Sequence, residues 1–524
     1  MQIVIPMSGA GSRFVVAGYT TLKPLIEVEG RPIIEHVINM FPGESDFLFI
    51  CSDDALSTTP LRQVLQRICP RGRIVPIAAH KLGPVHAVLQ VRELIRRDVP
   101  VIVNYCDFGM DWSYPDFRDK VKNLGCAGAI AAYRGFHPHS LGPNLYAYMR
   151  HKDNYLLEIR EKHCFTNRRM EEYASTGTYY FRTGELLLRY FDQAVLLNLQ
   201  TNGEFYASSP YNLLVRDGLD VLIYQVSRFF QWGTPDDLEE YLGWSDYFLT
   251  AHNGARRMAR KGSILVTMAG SGARFAKEGY TDPKSLIDVD GEPMVRRVLR
   301  SLPRAGRRVV VCRTELARHR AFHSAVDDPG SATLQLVTAD RPTDGQASTC
   351  LLARDCLDPL QPVLVAPCDT VVAYDEKKYE ALTACPEVDC LVWTFQNHPH
   401  ANRNPEQYAW VVAAGDGAVR QIICKQPPHG DLRKANGVTG IFWFRRAMDL
   451  MENAEQLIAS QSRVKGEFYL DSVIPLLIQK NFRVLCFPIR HYICLGTPDD
   501  VQTYQYWAPY FRQLQAQRSG EILR

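Results

Sequence analysis

The fold class this sequence predicts is α/β: two tandem three-layer α/β/α domains, Rossmann-like, each around a mainly parallel sheet. Three observations lead there. Short apolar runs alternate with segments of helical periodicity. A glycine-rich loop follows the first apolar run. The same motifs also occur twice, 261–263 residues apart in a chain of 524, so the repeat falls on the half-length.

The first copy opens with Gln2-Ile3-Val4-Ile5-Pro6-Met7, an apolar run of the kind that forms a buried strand, and passes into Ser8-Gly9-Ala10-Gly11-Ser12-Arg13-Phe14. Phe47–Ile50, Val101–Val103 and Ala129–Ala132 read as further strands, while Pro60 to Ile68 and Val85 to Arg96 carry helical spacing. The second copy opens with Ile264–Met268 and Ala269-Gly270-Ser271-Gly272-Ala273-Arg274-Phe275. Gly-Tyr-Thr recurs at 18–20 and 279–281, and a lysine follows at Lys23 and Lys284. Cys106-Asp107 recurs as Cys368-Asp369, Gly83 as Gly345, Thr176-Gly177 as Thr439-Gly440, and Gly203-Glu204-Phe205-Tyr206 as Gly466-Glu467-Phe468-Tyr469. Gly-Thr-Pro-Asp-Asp closes both, at 233–237 and 496–500.

This pattern sets domain 1 at 1–249, a polar, basic and glycine-bearing linker at 250–262, and domain 2 at 263–524. The linker reads as a solvated connector, with a basic patch for a partner as the alternative.

Composition excludes several classes. Lys and Arg number 60 against 57 Asp and Glu, a formal charge of +3 that makes no electrostatic case for nucleic acid or a membrane surface. No apolar run reaches the ~18 residues of a membrane span. The 14 cysteines are scattered, with no CxxC pair, and read as reduced thiols of a cytoplasmic chain. Gly9, Gly11 and Arg13 break up what would otherwise resemble a signal peptide.

The glycine-rich loop brings backbone N–H groups close to a phosphate, and Arg13 with Lys23, repeated as Arg274 with Lys284, supplies two cations for a triphosphate and its departing pyrophosphate. It is not a P-loop, because no Gly-Lys-Ser/Thr follows, and it lacks the third glycine and acidic residue of a dinucleotide site. Asp107 and Asp369, after predicted strands, are candidate carboxylates for Mg²⁺.

Gly-Ala-Gly-Ser-Arg-Phe with Gly-Tyr-Thr and Leu-Lys-Pro-Leu resembles the sugar-phosphate nucleotidyltransferases, the nucleoside-diphosphate-sugar pyrophosphorylases and their relatives that activate choline phosphate. Gly-Tyr-Thr, Gly-Glu-Phe-Tyr and Gly-Thr-Pro-Asp-Asp-Leu are similar to a capsule and lipopolysaccharide subgroup, and the resemblance covers nearly all of both halves. It implies that Ser8, Gly9, Ala10, Gly11 and Ser12 bind the nucleotide, with Arg13 on the pyrophosphate and Lys23 on the α-phosphate. Gly83 lies against the base, Asp107 holds Mg²⁺, Lys162 grips the acceptor phosphate, and Glu204 lines the acceptor pocket. In the second copy the same roles fall to Gly270, Ser271, Gly272, Arg274, Lys284, Gly345, Asp369, Lys425 and Glu467. The reaction implied joins an NTP (CTP, UTP or dTTP) to a phosphorylated sugar or small molecule and releases pyrophosphate. Nothing in it requires nucleic acid or a membrane, and self-association is left open.

Departures from the family pattern are also legible. The position of a second metal-binding Asp, two before Gly-Thr-Pro, holds Gln231 and Cys494, leaving Glu204, Asp111 or water as the further ligand. Copy two has Ala273 for Ser12, Ser285 for Pro24, Ala366 for Asn104 and Cys424 for Glu161. The residues between Lys162 and Gly177 match those between Lys425 and Gly440 in length and hardly in content, which predicts different acceptors. His137-Pro138-His139 and His398-Pro399-His400 read as structural loops. The stripe Tyr241, Trp244, Tyr247, Phe248, recurring as Tyr504, Trp507, Tyr510, Phe511, reads as a helix packed on its own domain or as an interface. A glycosyltransferase, or one active domain with a degenerate regulatory copy, is the alternative reading.

Overall fold

The computed structural model describes residues 1–9, 11–250, 261–327 and 333–520. The predicted loop residue Ala10 and residues 251–260 of the predicted linker lie outside these. The chain divides into two units, Met1–Leu242 and Gly243–Arg524.

The first unit is built on β1 (Gln2–Met7), β2 (Asp46–Ser52), β3 (Arg73–Ile77), β4 (Val101–Asn104), β5 (Phe108–Asp111), β6 (Gly128–Tyr133), β7 (Ala147–Lys152), β8 (Tyr155–Glu161), β9 (Tyr173–Phe181), β10 (Val221–Gln225) and β11 (Arg228–Gln231). Nine of these form one sheet in the order β3-β2-β1-β4-β9-β6-β10-β8-β7, and β5 pairs with β11 in a separate ribbon. Strands β3, β2, β1 and β4 run parallel, as do β6 and β10. Strand β9 runs against both its neighbours. The sheet is thus mixed but parallel-rich.

One face of its central strands is apolar because helices cover it: Val4, Leu48, Val103 and Ile130 bury with Val85 and Val88 of the helix Pro84–Gln90 and with Leu187 and Phe191 of the helix Gly184–Leu196. The helical pattern read over Pro60 to Ile68 forms Leu61–Ile68. That over Val85 to Arg96 ends at Gln90, where the chain passes into the 3₁₀ turn Arg92–Leu94.

The second unit contains β12 (Ser263–Met268), β13 (Arg307–Arg313), β14 (Thr333–Ala339), β15 (Val363–Pro367), β16 (Thr370–Ala373), β17 (Cys390–Phe395), β18 (Ala409–Ala413), β19 (Val419–Cys424), β20 (Asn436–Phe444), β21 (Val484–Pro488) and β22 (His491–Cys494). Its sheet runs β14-β13-β12-β15-β20-β17-β21, with β18 joining β20 and β19 pairing β18, and β16 pairs β22 apart from it. The seven-strand path repeats β3-β2-β1-β4-β9-β6-β10 of the first unit, but β19 pairs only β18, where β8 pairs both β7 and β10.

The helix Pro235–Thr250 runs past the unit boundary, and the aromatic stripe on it divides there. Tyr241 packs on Phe230 and Trp232 of the first unit, while Trp244, Tyr247 and Phe248 belong to the second and pack on Tyr504 and Phe511 of the helix Pro498–Ser519. Thr250, placed in the predicted linker, is the last residue of this helix. Gly262, at the linker's other end, is held in place: its φ is +93°, and a Cβ there would lie 2.4 Å from the Pro362 carbonyl oxygen.

Candidate active site

The carboxyl ends of β1 and β4 face the same region, which is where ligands bind in open α/β sheets. Here β1 gives way to Ser8 and Gly9, and Gly11, in left-handed conformation at φ +59°, opens the short helix Ser12–Val16. Gly272 does the same at φ +64° before Ala273–Lys277. A Cβ on Gly11 would point at the Lys23 Cβ 3.9 Å away, and one on Gly272 at the Lys284 Cβ, 3.6 Å away. Each loop therefore lies on the root of its lysine. The 3₁₀ turn Lys23–Leu25, whose Pro24 and Leu25 are buried, fixes that root from the other side.

Lys23 donates to Asp107 Oδ2 at 2.8 Å, and Lys284 hydrogen-bonds Asp369 in the same way. Burial alone would lower the pKa of each lysine. The adjacent carboxylate outweighs it, and the net shift is upward for both, so both remain cationic. Asp107 rests on Gly233, where a Cβ would come within 2.8 Å of Oδ2 and 3.2 Å of Gln231 Nε2. Asp369 lies over Gly496 similarly, beside the Cys494 sulfur. The Gly-Thr-Pro-Asp-Asp motif thus forms the floor beneath the carboxylate, a role that its spacing did not reveal. Burial pushes the neighbouring thiols of Cys106 and Cys368 up to about 12, which keeps them protonated and unsuited to nucleophilic chemistry.

Two adjoining cavities meet at Asp107. The larger, about 450 Å³, is lined by Ser8, Gly9, Gly11, Ser12, Arg13, Lys23, Gly83, Asp107, Lys162 and Glu204. It brings together the first-copy site residues that lie among the described ones. His80, Lys81, Tyr105 and Tyr206 also line it, and none was singled out from sequence; a second basic pair just before Gly83 was the available signal. The smaller, about 170 Å³, shares Arg13, Tyr105, Asp107, Lys162, Tyr206 and Gly233 with the first and adds Tyr146, Glu161, Thr176, Gly177, Phe229 and Gln231. Thr176 and Gly177 reach it because β9 breaks register between Ser175 and Thr178, with Gly177 at φ +100°.

Gly83, at φ +88°, packs on the Phe205 backbone, and Gly345, at φ +114°, on that of Phe468. Each glycine thus ties the loop before its helix to the Gly-Glu-Phe-Tyr segment. Lys162 and Lys425 both adopt left-handed backbone, at φ +58° and +57°, which side chains other than glycine seldom take. Lys162 Nζ donates to the Tyr206 hydroxyl at 2.6 Å and lies over its ring. Lys425 lies over the Tyr469 ring 4.9 Å from its centroid and hydrogen-bonds the Gln407 carbonyl. Glu204 and Glu467 stand beside the same tyrosines, whose hydroxyl pKa values they and burial raise.

Asp111 sits at the far end of β5, ion-paired with Arg228 and half exposed, away from Asp107, and lines neither cavity. Asn104 is wholly buried and occupied by Tyr105 and Thr178, so its loss to Ala366 alters packing behind the site rather than the site itself. Burial lowers His137 to about 4 and His398 to about 3, which makes them neutral rings among aromatic neighbours. Among the described residues no group of three or more His, Cys, Asp or Glu is placed to hold a metal, and no helix is long and apolar enough to cross a membrane.

Residues 264–435 match the model of the MobA-like NTP transferase domain. The matched span contains the glycine loop, Arg274, Lys284, Gly345, Asp369 and Lys425. Among solved structures, a nucleoside-diphosphate-sugar pyrophosphorylase from Vibrio cholerae RC9 is 22% identical with a TM-score of 0.39, covering 46% of this chain and 99% of its own. A proposed glucose-1-phosphate thymidylyltransferase from Bacillus anthracis, in complex with a sucrose, is 17% identical with a TM-score of 0.37, covering 46% and 93%. No curated protein sequence matches the chain.

Proposed function

We propose that the chain is a duplicated nucleotidyltransferase, with one site in each unit, that joins an NTP to a phosphorylated sugar or small molecule and releases pyrophosphate. The observation that carries this reading is the Lys23–Asp107 pair at the seam of two cavities, matched by Lys284–Asp369 within the span that matches the MobA-like NTP transferase model. The shared strand order supports the duplication.

The larger cavity takes the nucleotide, its phosphates against Ser8–Gly11, Arg13 and Lys23. The smaller takes the acceptor, with its phosphate drawn to Lys162. An acceptor phosphate oxygen attacks the α-phosphorus in line as the bond to the β-phosphate oxygen breaks, and pyrophosphate leaves with both bonding electrons. Such transfer demands positioning and charge neutralisation, which fixed cations supply without a covalent enzyme intermediate.

One carboxylate on both cavities suits Mg²⁺, which commonly takes one or two protein carboxylates and completes its shell with phosphates and water. Asp107 and Asp369 are the residues that would hold it, and it would neutralise phosphate charge. Neither Gln231 nor Cys494 replaces the second aspartate. A place in surface-polysaccharide synthesis rests on the motif resemblance, two different acceptors on the divergent segments after Lys162 and Lys425, and a cytoplasmic location on the scattered cysteines. The nearest rival, a glycosyltransferase, leaves Arg13 and Lys23 without a task.

The reading is tested by thermal unfolding of the full chain with CTP, UTP or dTTP and Mg²⁺. A nucleotide bound at 100 times its Kd stabilises the folded state by about 2.7 kcal/mol. One of the three is expected to raise the Tm, and Arg13→Ala with Arg274→Ala to abolish the rise; no shift with any of them would overturn the reading.

A further inference from the structure

The acceptor sites of the two units share a frame and differ in one exchange. In both, a left-handed lysine follows the last residue of a strand and lies over the tyrosine of Gly-Glu-Phe-Tyr. In the first unit that last residue is Glu161, and its Oε2 accepts a 2.6 Å hydrogen bond from Ser208, two residues beyond Tyr206. In the second unit the strand ends on Cys424, whose thiol lies 3.8 Å from Oδ2 of Asp471, two residues beyond Tyr469. Glu161 aligns with Cys424 and Ser208 with Asp471, each 263 residues apart. One carboxylate is therefore kept between the same two wall positions, but it has crossed from one wall to the other.

A buried carboxylate is costly, and packing alone gives no reason to restore it on the other wall once the glutamate has gone. Burial raises Glu161 to about 7 and Asp471 to about 6, with Lys162 and Lys425 acting in the opposite direction. The groups facing these carboxylates are Lys162, Glu204, Ser208, Tyr105, Tyr179 and Tyr206 in the first unit and Lys425, Cys424 and Tyr469 in the second. Glu161 lines the smaller cavity beside Lys162.

Resting on the reading of the smaller cavity of the first unit, and of its counterpart around Lys425, as acceptor sites, we propose that Asp471 is the acceptor-selecting residue of the second unit. It would accept a hydrogen bond from a hydroxyl or ammonium group on the acceptor body while Lys425 holds the phosphate. Because Glu161 does this from the opposite wall in the first unit, the two units select acceptors whose donor groups lie on opposite sides of the phosphate. The ligand class is a small phosphomonoester carrying a donor group a few bonds from its phosphate.

The test uses the full chain with Asp107→Asn, which leaves turnover to the second unit, and with Asp369→Asn for the converse. Pyrophosphate release is measured with CTP, UTP or dTTP against glucose, galactose and mannose 1-phosphates, glycerol 3-phosphate and phosphocholine. Asp471→Asn is expected to raise the acceptor KM at least tenfold and leave the NTP KM within twofold. The exchange Cys424→Glu with Asp471→Ser is expected to move the ratio of acceptor kcat/KM values at least tenfold toward the preference of the first unit. An unchanged acceptor KM in Asp471→Asn, equal loss of NTP and acceptor affinity, or an unmoved ratio in the exchange overturns the proposal while leaving nucleotidyl transfer standing. Absence of pyrophosphate from the unsubstituted chain with every pair overturns both.

Discussion

Asp107→Asn and Asp369→Asn are each expected to remove the turnover of one unit, by about 10²–10³-fold, and their combination to remove all of it. Asparagine keeps an oxygen for the lysine and the fit over Gly233 or Gly496 but loses the charge, so the loss reports on catalysis rather than folding. The alanine variants differ. They leave Lys23 or Lys284 in the site without its carboxylate, and because these side chains keep about a fifth to a quarter of their exposure, the stability cost is about 2–3 kcal/mol, below that of a fully buried broken pair. Steady-state pyrophosphate release and urea unfolding, run side by side, separate the two effects. Full activity remaining after Asp107→Asn with every acceptor would leave the first unit without a catalytic role.

Gly83→Ala and Gly345→Ala carry the second large effect, through backbone geometry. Both positions have a left-handed φ, and an added Cβ would meet the carbonyl oxygen of Phe205 at 2.7 Å or of Phe468 at 2.5 Å. Those carbonyls already accept from Val85 and Ala347 N–H groups, so neither can step aside without breaking the link between the loop before each helix and the Gly-Glu-Phe-Tyr segment. Strain and overpacking together set the expected cost at about 3 kcal/mol or more. Gly9→Ala is the control: nothing lies within 4 Å of its Cβ position, and its backbone is not left-handed, so unfolding is expected to change by about 0.5 kcal/mol or less. Equal stability of Gly83→Ala and Gly9→Ala would contradict the packing described.

Glu161 adds a pH dependence. Its folded pKa, about 7, lies above its ordinary value of 4.5, because burial disfavours the charged form. The folded state therefore holds its proton more tightly than the unfolded chain. The stabilisation is present in full below pH 4.5 and is lost as pH rises through about 7, a swing on the order of 3 kcal/mol. Glu161→Gln is expected to flatten the fall in Tm between pH 5 and pH 8; an unchanged slope would contradict it.

How far the sequence could be read depended on whether a feature is local. Lys23, Asp107, Lys284 and Asp369 recur at fixed spacing, and the structure brings each pair within hydrogen-bonding distance. Gly11 and Gly83 were legible because few residues other than glycine take their backbone. Strand β9 was not: its nine residues, Tyr173–Phe181, are all buried, and a uniformly buried run reads the same in either direction. The ribbon of β5 with β11 joins residues over a hundred apart, so no local pattern announces it. The aromatic stripe looked like one face of one helix, yet Tyr241 packs on Phe230 and Trp232 while Trp244, Tyr247 and Phe248 pack on Tyr504. The Glu161–Asp471 exchange escaped notice because each residue read alone is an ordinary substitution, and only the distances to Ser208 and Cys424 relate them.

The central claim is tested most directly by following the phosphorus. With the preferred NTP, Mg²⁺ and a phosphorylated acceptor, ³¹P NMR of the full chain is expected to show one pyrophosphate formed for each new diphosphate linkage, the α-phosphorus of the NTP residing in that linkage. Orthophosphate or an NDP as the product instead, or a diphosphate linkage formed only when a nucleotide sugar is supplied, would contradict nucleotidyl transfer.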